Sequence, residues 1–293
     1  MRLTIALLAA TPLFAQETAD SIMAKVGENQ TRVIKLLSDY AYQEHIRVET
    51  RHFNGKLARK EIGDYAMAPG SENKVEKLEG QYWNKKTKQY VDFNAKEPPN
   101  KGSLDAGLID GFRQDLLKSS NKPASKPDAK KSGANNSDED SGDLFPLAAG
   151  QLKKYKFTLL GEIEVQGRRT YRIRFVPAKK NDIDWAGEAL IDAEEFQPVN
   201  VYTKLSRRIP FAIRTLLGTD LPGIGYNVKY ERLEKDVWFP VSYGAEFRLH
   251  VLFFINRDIS ISADASGYKR VTPPQASASA PSPSRSEAVS PLP

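Results

Sequence analysis

The stretch Val241-Ser-Tyr-Gly-Ala-Glu-Phe-Arg-Leu-His-Val-Leu-Phe-Phe-Ile255 decides the fold. Val241, Tyr243, Ala245, Phe247, Leu249, Val251, Phe253 and Ile255 occupy every second position, and Ser242, Gly244, Glu246, Arg248 and His250 hold the other parity. A period of two marks a strand with one face in a core. At ~3.3 Å per residue the run would stretch roughly 45 Å, too long for a flat sheet of ordinary size. A strongly coiled sheet or an open barrel accommodates such a strand.

Further strands lie on either side. Ile259, Ile261 and Ala263 extend a final one. Upstream, Tyr226, Val228 and Tyr230 start a strand that turns near Lys235-Asp236, and Trp185 to Asp192 pairs with Val199 to Leu205 across Gln197-Pro198. Phe157, Leu159, Ile163 and Val165 alternate with Thr158, Glu162 and Glu164; Gln166-Gly167 then turns the chain into Tyr171, Ile173 and Phe175, with Arg172 and Arg174 on the opposite face. In the first half, Tyr40 to His52 alternates and returns as Leu57 to Met67 across Asn54-Gly55, a strong hairpin signal. Val75 to Tyr82 and Gln89 to Phe93 are weaker strands. Strands adjacent in sequence imply antiparallel pairing, so the pattern predicts about ten antiparallel strands.

Four segments switch to helical spacing. Ile22, Val26, Val33, Leu37 and Tyr40 form one stripe behind Asp20 or Ser21 as cap, and Leu104, Leu108, Ile109, Phe112, Leu116 and Leu117 form another behind Ser103. Pro146 to Tyr155 predicts a short helix. Pro210 opens one carrying Phe211, Ile213, Leu216 and Leu217, which Gly218 ends. These stripes have nowhere to go but the sheet. The fold class is therefore α+β: a strongly curved antiparallel sheet, an open half-barrel, with helices covering the concave face.

The ends and one insertion stand apart. Met1-Arg2, an apolar run to Phe14 and a small residue at Ala15 have the layout of a signal peptide over 1–15, cleaved after Ala15, which places the protein in the periplasm or outside the cell. The domain spans 16–271. Within it, 119–142 is rich in Ser, Asn, Lys, Asp and Pro and reads as a disordered insertion; 272–293 reads as a disordered Pro/Ser/Ala tail. No later stretch reads as a membrane-spanning helix. The chain has no cysteine, which excludes thiol catalysis, thiolate metal sites and a lipid anchor on an amino-terminal cysteine. The net charge is +6, with basic residues gathered between Lys153 and Arg214. A basic face suits acidic head groups or an acidic partner, and export argues against nucleic acid.

Signatures of catalysis are missing. There is no Gly-x-Ser-x-Gly elbow and no phosphate-binding loop. Gly223-x-Gly225 lacks the third glycine of a dinucleotide fingerprint. His45 and His52 have opposite parity and would not share a metal, and Glu194-Glu195 reads as a solvated pair in a turn. No enzyme activity, metal or cofactor is expected.

Several segments, taken in order, resemble one family. The helix Ser21–Asp39 running into Tyr40-Ala-Tyr-Gln43 resembles its opening. Tyr155-Lys-Phe-Thr-Leu-Leu-Gly161, followed by Gly167-Arg-Arg-Thr-Tyr-Arg-Ile-Arg-Phe-Val-Pro177, resembles its central hairpin. Gly187-Glu-Ala-Leu-Ile-Asp192 through Phe196-Gln-Pro198, and then Trp238-Phe-Pro240, resemble its later steps. The family is the LolA/LolB-like lipoprotein-carrier superfamily, which includes the lipid-sensing domain of RseB-like periplasmic regulators. The chain also resembles exported, lipoprotein-sorting-like proteins of acidobacteria. The resemblance spans about Asp20 to Ala263; the insertion and the tail depart from it. It implies a non-enzymatic carrier whose partner is a lipid or an acylated lipoprotein, held in a hydrophobic half-barrel cavity. Together with the parity of the strands it points to a lining of Tyr171, Ile173, Phe175, Tyr243, Phe247, Leu249, Val251 and Phe253 from the sheet and Ile109, Phe112, Phe211 and Leu216 from the helices. The alternative is an envelope-sensing module on the same fold that binds an envelope protein partner.

Overall fold

In the computed structural model, which describes residues 17–69, 74–94, 103–121, 146–179, 185–206, 219–220, 225–251 and 255–271, a single antiparallel sheet organises the chain. In chain order its strands are β1 (Tyr40–His52), β2 (Leu57–Met67), β3 (Lys74–Asn84), β4 (Gln89–Asn94), β5 (Tyr155–Val165), β6 (Arg168–Pro177), β7 (Trp185–Asp192), β8 (Pro198–Leu205), β9 (Thr219–Asp220), β10 (Gly225–Glu234), β11 (Val237–Val251) and β12 (Ile255–Arg270). The strand order is β4-β3-β2-β1-β12-β11-β10-β8-β7-β6-β5, with β9 pairing β11 off this path. The two ends, β4 and β5, do not pair with each other, so the sheet is open, as the strand pattern predicts. Pairing of β1 with β12 joins the first and last strands and makes the two halves of the chain one sheet.

Turn chemistry fixes the hairpins. Gly55 takes φ 77°, and the Lys56 N–H donates to the Asn54 side chain at 3.1 Å, closing the β1–β2 turn between the predicted strand ends. Gln166 and Gly167 both have positive φ, 51° and 76°, the twist that a tight β5–β6 hairpin requires.

Three strand readings need correction. The long strand through Ile255 is in fact two: Val251 pairs with Ile255, so the chain reverses between them. Leu252-Phe-Phe254 continues the apolar pattern without a glycine, proline or asparagine, so nothing in the sequence marks the reversal. β11 is still fifteen residues long, but it begins at Val237. Second, the β10–β11 register steps from Lys229↔Ser242 to Tyr230↔Pro240, leaving Val241 as a bulge residue. A bulge is where a central strand tolerates proline. Third, the β5–β6 register shifts between Leu159 and Gly161, and Gly161 takes φ 140°. Ile163 thereby leaves the face of Phe157 and Leu159 and is exposed.

Among the described residues three helices accompany the sheet: α1 (Ala19–Leu37), α2 (Leu104–Asn121) and α3 (Ala149–Leu152). The α1 cap is Thr18 rather than Asp20 or Ser21: Thr18 and Ser21 form a capping box, each side chain accepting from the other's backbone N–H. Ile22, Val26, Val33 and Leu37 are buried, whereas Tyr40 already belongs to β1. α1 packs on β5, β11 and α3, and α2 on β1 and β2. α2 runs through 119–121, into the segment read as an insertion. The rest of that segment, the stretch 1–15 read as a signal peptide, the helix expected from Pro210 and the tail lie outside the described residues.

Candidate functional site

Cross-strand register carries one apolar face across the sheet. Tyr171, Ile173 and Phe175 of β6 adjoin Ala189 and Ile191 of β7, and the row continues through Val201, then Tyr226 and Val228. Next come Tyr243, Ala245, Phe247 and Leu249 of β11, Ile259, Ile261 and Ala263 of β12, and Ile46 and Val48 of β1. All of these are buried except Phe247, which is half-buried.

At the β1–β2 end the same face turns polar, and α2 docks there. Thr50, Arg59, Glu61 and Arg257 are all buried. Asp105, in the first turn of α2, accepts from Arg257 Nε at 2.5 Å, Arg257 Nη2 at 3.0 Å and Thr50 Oγ1 at 3.0 Å. Burial alone would raise the Asp105 carboxyl, but the Arg257 guanidinium and the Thr50 hydroxyl outweigh it and hold the group below the usual range. About two turns further along, Arg113 Nη1 donates to Glu61 Oε2 at 2.7 Å, and Glu61 Oε1 accepts from Arg59 at 2.6 and 2.8 Å. The Arg59 guanidinium lies 4.7 Å from the Phe93 ring centre. Under this network burial pushes the Tyr65 phenol up to about 12, so it stays a neutral hydroxyl. Between the two ion pairs the Phe112 ring meets Phe247 edge-on at 5.5 Å. α2 is thus held by charged contacts at two points and, between them, by the fully buried Ile109 and the half-buried Phe112.

A shallow cleft with a volume of about 10 Å³, room for little more than one water molecule, lies beside this face. Leu37, Tyr42, Glu44, Tyr243 and Tyr268 line it. The Tyr42 and Tyr268 rings stack at 4.7 Å, and the Tyr268 hydroxyl donates to the Pro240 carbonyl at 2.6 Å.

The twelve residues expected to line a cavity fall into groups. Tyr171, Ile173, Phe175, Tyr243 and Leu249 are buried on the apolar face; Phe247 is half-buried there, and Tyr243 borders the cleft. Ile109 is buried and Phe112 half-buried on α2. The Val251 backbone closes β11. Phe253, Phe211 and Leu216 lie outside the described residues.

Other expectations concern charge. Glu195 is not a solvated partner of Glu194. At the β7–β8 turn its side chain is only 9% exposed and accepts from Trp238 Nε1 at 2.8 Å, the Asp236 N–H at 3.0 Å and Arg232 Nε at 2.8 Å. Beside it, Asp192 accepts from Arg168 and from the Glu194 and Glu195 N–H groups. Asn29 of α1 ties onto the same turn through the Glu195 and Phe196 carbonyls. Arg172 and Arg174 share Glu188, which offsets one of their two charges. His45 pairs with Asp64 at 2.6 Å, and His52 is elsewhere on β1. Among the described residues no group of three His, Asp or Glu side chains could hold a metal ion, and no helix is long and apolar enough to cross a membrane.

The anchors of α2 escaped the sequence reading. Arg59 and Glu61 share the parity of a core face, a visible anomaly, but Asp105 and Arg257 are 152 residues apart and carry no local signal.

No family model and no curated protein matches the chain. Solved structures do. A LolA superfamily protein from Nitrosomonas europaea matches at 12% identity and a TM-score of 0.32, over 88% of this chain and 96% of that one. An outer membrane lipoprotein-sorting protein domain from Vibrio parahaemolyticus matches at 10% identity and a TM-score of 0.30, over 84% and 92%. Pseudomonas aeruginosa MucB, solved in complex with MucA, matches at 11% identity and a TM-score of 0.24, over 85% and 99%. The structural neighbours therefore include the superfamily that the sequence resembles. Likeness at this level assigns no ligand, partner or activity to this chain.

Proposed function

We propose that the chain is a non-enzymatic protein of the cell envelope, periplasmic or secreted after cleavage at Ala15, that carries an acyl chain of a lipid or of an acylated lipoprotein. In this reading the sheet curves, the helices cover its concave face, and α2 lifts to admit the ligand. The lining is the set expected from the sequence, with Phe247, Leu249 and Phe112 at the entrance. The observation that supports it most is the mounting of α2: ion pairs hold it on the polar end of the face, at the border of the apolar row, and the Phe112–Phe247 ring pair at that border is only half-buried. Each methylene taken from water contributes about 0.8 kcal/mol, so such a face binds an acyl chain without directional chemistry. Native mass spectrometry of the purified chain, before and after incubation with an acylated peptide, tests the reading. A bound mass of acyl-ligand size is expected. Repeated recovery free of ligand, with no uptake, overturns it.

A second reading has its own support. Among the described residues β5 is an eleven-residue edge strand paired on one side only, and an extended segment of an envelope protein could add to it as a further strand. Capture of a defined partner that protects the β5 amides from exchange, without lipid, favours this reading over the first.

A further inference from the structure

Two neighbouring turns at one end of the sheet share an unusual composition. The β1–β2 turn carries Phe53, 68% exposed, and Lys56. The β3–β4 hairpin carries Trp83 and Tyr90, 36% and 44% exposed, on either side of a tip that holds Lys85, Lys86 and Lys88. The Tyr90 hydroxyl donates to the Leu57 carbonyl at 3.3 Å, so the tips stand side by side. The β3–β4 tip is ordered: Asn84 Oδ1 accepts from the Lys86 N–H at 2.9 Å and the Thr87 N–H at 3.3 Å. Trp83 and Tyr90 meet edge-on at 5.0 Å, a cross-strand pair that holds both rings at the surface. Among the described residues none of the four lysines has an ion-pair partner, whereas Arg168, Arg172, Arg174 and Arg248 all do.

Exposed aromatic rings among unpaired lysines are costly on a surface that faces only water. They match the interface of a bilayer. Tyr and Trp settle at head-group depth, with the ring toward the acyl chains and the polar atom toward water. Lysines at that depth pair with lipid phosphates. We propose that this end of the sheet is a docking surface for an anionic bilayer, entered by Phe53, Trp83 and Tyr90 and held by Lys56, Lys85, Lys86 and Lys88. An acidic protein would use the lysines but would not draw Trp83 into an apolar layer. The proposal is independent of the acyl-carrier reading: a chain that docks on vesicles and takes up no acyl ligand sinks that reading and leaves this one standing.

Vesicle flotation with the full chain tests it, using phosphatidylcholine alone and phosphatidylcholine mixed with phosphatidylglycerol. The chain is expected to float with the mixed vesicles, less at high salt, and not with the neutral ones. Tryptophan emission should shift to the blue on binding, and Trp83→Phe should remove the shift, because Trp238 is buried and Trp185 half-buried. K85E together with K86E should weaken flotation about tenfold or more. Trp83→Ser with Tyr90→Ser should weaken it comparably, and the melting curves of both variants should stay close to that of the parent. Flotation unaffected by the charge reversal overturns the proposal. So does an unshifted Trp83 emission, or binding that follows the lysines but ignores the aromatic pair, which marks the surface for an acidic macromolecule.

Discussion

Asp105 and Arg257 face each other across 152 residues of chain, the first on the opening turn of α2 and the second near the start of β12, joined at 2.5 and 3.0 Å. The pair fixes where α2 sits. Asp105→Asn should leave a buried guanidinium with a poor partner, lowering stability by about 3 kcal/mol. Hydrogen exchange should quicken over α2 before it does in β6 or β7. Asp105→Leu with Arg257→Met removes both charges and should recover most of the loss. Unchanged exchange in α2 would show that the pair does not hold the helix.

A pH dependence follows from Asp192. Its side chain is fully buried; burial raises its pKa, but Arg168 and the Glu195 and Glu194 N–H groups together hold it below the ordinary range. A carboxyl depressed on folding contributes stability that is fully present above its unfolded value, about 3.9, and is lost as pH falls through the lower folded value. Melting temperature should therefore fall steeply below about pH 4. Asp192→Asn should be less stable at neutral pH and show a shallower acid limb in a series of thermal melts. Parallel limbs for the two proteins would assign the acid loss to other groups.

Gly187 tests the sheet itself. A Cβ at this position would stand 1.9 Å from the Tyr202 carbonyl oxygen, a backbone atom of the paired strand, and 3.0 Å from the Phe175 ring. Gly187→Ala must push β7 away from β8, and a loss of about 2 kcal/mol or more is expected in urea denaturation. Gly167→Ala meets no atom and pays only for its φ of 76°, so about 1 kcal/mol is expected.

The contrast between those glycines bears on what the sequence makes legible. Gly55 and Gly167 announce their turns, because a reversal of two strands needs positive φ and few residues supply it; both hairpins have their predicted ends within a residue or two. Gly161 sits inside a strand pattern, and its bulge inverted the reading of Ile163. The β11–β12 reversal between Val251 and Ile255 was hidden because apolar residues continue through it. The apolar face was legible from parity alone. The charged seat of α2 was not, since an ion pair between distant segments is a property of the fold and leaves no period behind.

Phe247 and Leu249 decide whether that face also serves a ligand. Both lie on β11, Phe247 half-buried against the edge of Phe112 of α2 and Leu249 buried opposite Arg257, the partner of Asp105. Were the face ordinary core at Phe247, truncation to alanine would lower stability by about 3–5 kcal/mol, as expected for the fully buried Phe175. A half-buried ring that gives way to an acyl chain is not close-packed, so Phe247→Ala should fall clearly below Phe175→Ala while altering uptake of a fluorescent fatty acid. Leu249→Glu is the sharper variant. Its carboxylate would arise beside Arg257, its cross-strand partner, which can neutralise it in the folded protein. The chain should therefore remain soluble and folded by circular dichroism and yet lose fatty-acid binding, because a charge on the ligand path repels the apolar tail. If Leu249→Glu yields no soluble protein, the face is packed core there, and the acyl-carrier reading loses its main physical support.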